Sequence, residues 1–413
     1  MRESRQGLLD ASLAVIEHLQ QEDGGITATP ADDAYPYVYP RDAVFMTMAM
    51  NAFGQQERSK KFYRYLLTLR RQRGEFFQRY NRGFPYVTNE HELDVTPIVI
   101  QGIYDVYSSD GGSNESRVFL ESMWDLTKEC ADFTVSTVGP ETGLIYSANS
   151  IHESRELEEG FEIWTNSAAV RGLHDASVIA GLLGHTEQEQ NWLTCASHLR
   201  DSLATKLYDQ DTGTFLKVMR RSGEKVTAPD MSQLAPFYFR ILEDETVLSR
   251  TLQHLKQNLW NEKIGGFNRF KDFQVVNDWH WYTGGTSASW PFFTIWAARF
   301  YRELGIREEE DACLDFIDSA TTLDNFLPEK VAPLEGYSRW KETELEFGDR
   351  LINGVMKIEN RVHTIKTSDY VCWACPLGWA HAEYIFLEKR SEVSTMAPVL
   401  PSPLREVPAI VKR

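Results

Sequence analysis

WPFFTIWAARFYREL, residues 290–304, places Trp290, Phe293, Ala297, Phe300 and Leu304 at intervals of 3, 4, 3 and 4. That spacing lays one apolar stripe along an α-helix. Phe119, Met123, Leu126, Cys130 and Phe133 repeat the pattern at 4, 3, 4 and 3. Period-2 runs, the mark of half-buried strands, are scarce. The periodicity predicts about twelve helices, near 2–21, 42–54, 57–73, 92–109, 114–136, 160–183, 186–208, 229–241, 244–258, 287–304, 307–319 and 375–389.

Turn residues separate these segments, among them Gly24-Gly25, Gly111-Gly112, Gly139-Pro140, Asp211-Thr212-Gly213 and Gly265-Gly266. Three connections are long: 22–41, 137–159 and 320–374. Their aromatic and charged content predicts ordered, site-forming loops instead of linkers. Helices of similar length joined by polar loops suggest helical hairpins in a ring. Twelve of them make an all-α (α/α)6 barrel, expected as a single domain over residues 1–390, with 391–413 as an extended tail.

Composition narrows the function. Of 413 residues, 42% are hydrophobic, enough for a large core, and 12% are aromatic. The net charge of −17 disfavours nucleic acid and anionic membrane surfaces as partners and is compatible with a small neutral substrate. The N-terminal stretch lacks the apolar run and cleavage site of a signal peptide, and no apolar run is long enough to span a bilayer. Cys372 and Cys375 form a lone C-x-x-C without a βαβ context, a weak redox signal. Reduced thiols and a cytoplasmic location are the expectation.

Three constellations can carry chemistry. Tyr35-Pro-Tyr37-Val-Tyr39-Pro-Arg41-Asp42 stands before a helix. Asp42 suits a helix cap, while an Arg–Asp pair beside tyrosines also suits a sugar ring. In Ile151-His152-Glu153-Ser154-Arg155-Glu156-Leu157-Glu158-Glu159, the acids at 158 and 159 read as a solvated charge run. Glu153, behind Ile151 and His152 and before Arg155, is placed for partial burial, which raises a carboxyl pKa and suits a general acid. In Asn325-Phe326-Leu327-Pro328-Glu329-Lys330, Pro328 fixes the backbone so that Glu329 projects at a set angle. Lys330 is expected either as a surface neighbour or as the cation that keeps Glu329 ionised. Two separated carboxylates are the minimum set for glycoside hydrolysis.

Five segments in order resemble glycoside hydrolase family 15, the glucoamylase-like family: YPYVYPRDAVF (35–45), ELD (92–94), HESR (152–155), LPEK (327–330) and PLGWAHAE (376–383). The Gly265-Gly266-Phe267-Asn268-Arg269 segment and Trp290-Pro291 are similar more loosely. The resemblance covers roughly residues 1–390 and implies an (α/α)6 barrel, an inverting exo-α-glucosidase and neither metal nor cofactor. It implies Glu153 as general acid and Glu329 as general base. Tyr35, Arg41, Asp42, His152, Arg155 and Arg269 then surround the sugar. His152 stands where the family has Trp, Ser154 where many members have an acid, and Lys330 where Gln is usual. These departures leave the preferred linkage open. A trehalase-like glycosidase and a catalytically silent sugar-sensing barrel are the alternatives, and both monomer and homodimer stay open.

Overall fold

All twelve residues of the helix Pro40–Asn51 are buried, which an amphipathic surface helix never achieves. The computed structural model of the chain describes residues 2–85, 91–152, 155–270, 288–333 and 370–389. Within them, helices of two kinds alternate. The inner kind is apolar or closed off on nearly every side: α2 (Pro40–Asn51), α4 (Val95–Ser109), α8 (Ile163–Leu183), the short α10 (Ala235–Tyr238), α12 (Pro291–Glu303) and α14 (Gly378–Lys389). The outer kind buries one face: α1 (Arg2–Leu19), α3 (Gln56–Leu66), α5 (Asn114–Ser122) with α6 (Trp124–Thr137), α9 (Thr186–Lys206), α11 (Glu245–Leu259) and α13 (Arg307–Ala320).

The inner helices form a closed ring. α2 packs on α4, α4 on α8, α8 on α10, α12 on α14, and α14 back on α2. Tyr238 of α10 meets Trp296 of α12 with ring centroids 4.4 Å apart, which joins the two halves. The architecture is an (α/α)6 barrel, as the helical periodicity predicted. Its centre is aromatic: Trp164 stacks on Trp296 at 5.4 Å, and Phe45 and Phe292 stack on Trp379 at 5.1 and 4.9 Å. One hydrophobic cluster runs from Leu8 to Leu387.

Several boundaries moved for local reasons. The expected helix at 229–241 is a 3-10 turn, Met231–Leu234, running into α10 and stopping where Arg240 takes a φ of +57°. A capping box built on Asp230 and Gln233 starts it. Asp42 does not cap α2. Tyr39 is the N-cap, Pro40 opens the helix, and Asp42 lies in the first turn. The expected helix at 160–183 opens with a short strand, Phe161–Glu162, before Glu162 caps α8 by accepting from the amides of Trp164 and Thr165. The connection 320–374 contains an antiparallel pair of strands, Lys330–Pro333 with Tyr370–Trp373, which periodicity did not reveal. The expected tail at 391–413 lies outside the described residues. No described helix is long and apolar enough to cross a membrane.

Between α2 and α4, Asn51 Nδ2 donates to Asp105 at 2.7 Å. Burial pushes the Asp105 carboxyl up to about 7, against the pull of Asn51. An unfolded aspartate titrates near about 4. Between those values the folded state holds the extra proton, so stability is lost as pH rises through the window. Urea unfolding of the wild type between pH 4 and 7 is expected to show that slope, and Asp105→Asn to flatten part of it. An unchanged slope in Asp105→Asn means that Asp105 is already ionised in the folded chain.

Candidate active site

The inner helices begin at one mouth. Asp42 sits in the first turn of α2, Asp94 is the N-cap of α4, Glu162 caps α8, and Asp230 caps the 3-10 turn before α10. Each acid stands at the positive end of its helix, which favours negative charge there. Trp290 and Trp379 stand at the starts of α12 and α14.

Arg41 is closed off from solvent. Its Nη1 donates to Glu92 and Asp94, both at 3.1 Å, and its Nε lies 3.7 Å from Asp42. Trp164 Nε1 donates to the same Asp94 oxygen at 2.8 Å. Gln78 donates to Glu92 at 2.5 Å. Arg41 also lies over the Trp379 ring, 5.8 Å from its centroid. Starting from α2, α4 and α8, these bonds tie three helix starts into one buried polar unit. Asp42 is the more open member, its side chain 11% exposed. Glu92 and Asp94, noticed in the sequence only as a short segment, are the anchors of Arg41.

A second unit stands behind the acid loop. His152 has no exposed side-chain surface. Arg269 Nε donates to its Nδ1, so the ring proton sits on Nε2, which donates to Asp230 at 2.7 Å. Lys217 pairs with the same Asp230 oxygen at 2.8 Å, and Arg269 reaches the carbonyl of Ile151. Burial, then the Arg269 charge, holds the His152 pKa well below the usual histidine range, against the pull of Asp230. Burial alone would raise the Asp230 carboxyl, but His152 and Lys217 outweigh it and hold it well below the usual carboxylate range. Both ring nitrogens of His152 are thus taken by protein groups, where a sugar contact was expected. Arg269 lies over Trp290 at 4.7 Å.

Glu158 corrects the sequence reading outright. It is fully buried, not part of a solvated run. It accepts from the Ser150 amide at 2.8 Å, the Ser150 hydroxyl at 3.2 Å and the His152 amide at 2.9 Å. Burial raises its pKa, and burial followed by the nearby Glu158 charge pushes Glu162 up to about 7. Glu159 is half-buried and accepts from Tyr146 at 3.2 Å. Glu158 therefore clamps 150–152, the backbone leading to Glu153. Glu153 itself lies outside the described residues, as does the side chain of Arg155, whose backbone opens the one-turn helix α7 (Arg155–Glu158).

Glu329 is half-buried, and Tyr35 Oη donates to its Oε2 at 3.2 Å. Two expected site residues, 294 positions apart, are thereby brought together. Tyr35 in turn packs edge-on to Tyr39. The Glu329 amide donates to Ala374 O at 3.0 Å, and Val331 exchanges both backbone bonds with Ser289 at 2.8 Å. Lys330 is buried with its ammonium 5.6 Å from the Trp290 ring centroid, so it is not the surface neighbour that the sequence allowed. Cys372 and Cys375 are both buried in the strand and turn behind this loop. Among the described residues no group of three or more His, Cys, Asp or Glu side chains is arranged to hold a metal ion.

Residues 146–339 match the family model described as the mannosylglycerate hydrolase MGH1-like glycoside hydrolase domain. That segment includes the acid loop, Asp230, Arg269 and Glu329. An uncharacterized glycosyl hydrolase of Methanocaldococcus jannaschii is 21% identical over 91% of this chain. The chain spans about half the length of that curated relative, 54% of it. Among solved structures, a wild-type glycosidase superposes with a TM-score of 0.68 at 19% identity, covering 94% of this chain and 97% of that one. A bacterial glucoamylase complexed with acarbose gives 0.67 at 17%, over 95% of this chain and 56% of that one. The GH63 mannosylglycerate hydrolase of Thermus thermophilus gives 0.64 at 12%, over 92% of this chain and 100% of that one. Glycosidases on an (α/α)6 barrel are thus the class that this chain is similar to, in fold over nearly its whole length and in sequence to a glycoside hydrolase domain model over residues 146–339. Within that class the matched segment resembles the mannosylglycerate hydrolase model, while the ordered motifs resemble family 15.

Proposed function

We propose that this protein is an inverting, exo-acting α-glucosidase that releases β-D-glucose from the non-reducing end of short α-linked gluco-oligosaccharides. The observation that carries the reading is the contact of Tyr35 with Glu329, together with the start of α2, where Asp42 is the more open side chain and Arg41 is buried behind it. In this reading Glu329 takes a proton from the attacking water, and Tyr35 orients its carboxylate. Glu153 protonates the departing glycosidic oxygen from the loop that Glu158, His152 and Arg269 hold. Asp42 accepts from sugar hydroxyls, with Arg41 aligned behind it and Arg155 and Arg269 on the loop side. The substrate is a small neutral sugar met in the cytoplasm.

The matched domain model favours a second reading, hydrolysis of a glycosyl-glycerate. A panel of maltose, isomaltose, trehalose, glucosylglycerate and mannosylglycerate separates these. The expected result is glucose from maltose or isomaltose, appearing first as the β-anomer by NMR. Initial α-glucose overturns inversion. Exclusive turnover of trehalose or of a glycosyl-glycerate overturns the substrate, and no turnover of any member supports a sugar-sensing barrel.

A further inference from the structure

His381 stands in the first turn of α14 with no exposed surface, and no step above uses it. Its Nε2 lies 3.0 Å from the backbone nitrogen of Leu327. A backbone N–H only donates, so Nε2 accepts and the ring proton sits on Nδ1. Nδ1 then donates to Ser12 Oγ at 2.9 Å, and Ser12 Oγ donates to Leu8 O at 2.7 Å. The chain of bonds runs one way, from the 327 loop through α14 to α1. Burial keeps the imidazole neutral, its pKa pushed down to about 3.

Leu327 is two residues before Glu329, with only Pro328 between. Pro328 has a fixed φ and no N–H, so the placement of Leu327 passes directly to Glu329. Three bonds hold this short stretch to one segment of chain: Leu327 N–H to His381, Leu377 N–H to Leu327 O at 2.9 Å, and Glu329 N–H to Ala374 O at 3.0 Å. Two of them are backbone pairs that most side-chain changes leave intact. The third depends on one side chain.

We propose that His381 is the positioning residue of the base carboxylate: a neutral imidazole on α14 that holds the Leu327 amide and so sets the reach of Glu329 toward the attacking water. The proposal rests on the reading of Glu329 as the base. His381→Asn keeps an amide near Nδ1, within reach of Ser12, and does not reach Leu327. His381→Gln carries an oxygen near the Nε2 position and takes over the Leu327 bond.

The experiment compares His381→Asn, His381→Gln, Ser12→Ala and Glu329→Gln on the best disaccharide and on α-glucosyl fluoride. His381→Asn is expected to lose about 10–100-fold in kcat with KM within about 3-fold. The loss is expected to persist on the fluoride, because a good leaving group relieves the acid and not the base. His381→Gln is expected to regain most of the rate. Ser12→Ala, which leaves the imidazole itself in place, is expected to lose several-fold in kcat and serves if His381→Asn does not fold. Wild-type kcat in both His381→Asn and Ser12→Ala overturns the positioning role, as does a loss that the fluoride restores or that Gln does not. Should Glu329→Gln itself keep wild-type activity, the base reading falls, and this proposal with it.

Discussion

Glu329→Gln is expected to keep the fold and lose about 10²–10⁴-fold in kcat, the contribution of a positioned general base. Gln has nearly the same shape but no charge, and it cannot take a proton from water. Its amide oxygen still accepts from Tyr35 Oη, which reaches the wild-type carboxylate at 3.2 Å. The loop is held by backbone bonds from Glu329 to Ala374 and from Val331 to Ser289, and these do not involve the side chain. KM should therefore move little while kcat collapses. α-Glucosyl fluoride should not restore this variant, whereas it should partly restore Glu153→Gln, whose missing proton the fluoride does not need. Circular dichroism reports the fold and initial rates report kcat. A rate within about 5-fold of wild type removes Glu329 from the role of base.

The second large effect is on stability. Asp230→Ala should lower the unfolding free energy by about 3–5 kcal/mol, the cost of removing one partner of a buried ion pair. The change leaves the Lys217 ammonium, 1% exposed, without its acid partner. It also strips the Nε2 proton of His152 of its acceptor and removes the cap of the turn at 231–234. Asp230→Asn keeps an acceptor and the cap but not the charge, and should fall between the two. Urea unfolding midpoints measure both. Because the same unit grips 150–152, Asp230→Asn should also lose activity in a way that the fluoride partly restores. Wild-type stability in Asp230→Ala would show that the buried charges there contribute nothing net.

The frame of this protein was legible in its sequence because helices of a ring repeat one apolar spacing, and that spacing survives across α5 and α6 and along α12. The local signals were legible too, where a Pro or a turn residue acts within a few positions. The partnerships were not. Glu158 reads as one acid in a charged run, and only the folded loop shows that it turns back on the amides of residues 150 and 152. His152 reads as a sugar ligand, yet its two nitrogens meet Arg269 and Asp230, which are 117 and 78 positions away. The sequence signal that existed was small: Asp230 is three residues before Gln233, a capping box that marks a buried turn start. Lys217 carried no such signal, since its role depends on the strand pairing that brings it under the loop.

The closure of the ring has a consequence for how the chain is made. The seam joins α1 to α14, through Ser12 with His381 and through Tyr384 with the Arg5 carbonyl at 3.4 Å. Those residues are separated by 369 and 379 positions, so the seam forms only after nearly every other helix has been synthesised. Until then α2, buried on all sides in the finished barrel, has one flank with no neighbour, and a nascent chain displays that flank to chaperones and to other nascent chains. Ribosome-bound chains that stop before residue 378 should therefore be more protease-sensitive and more prone to aggregate than chains that include α14. The loop that carries Glu329 is tied to the same seam through His381, so its placement too would wait for α14.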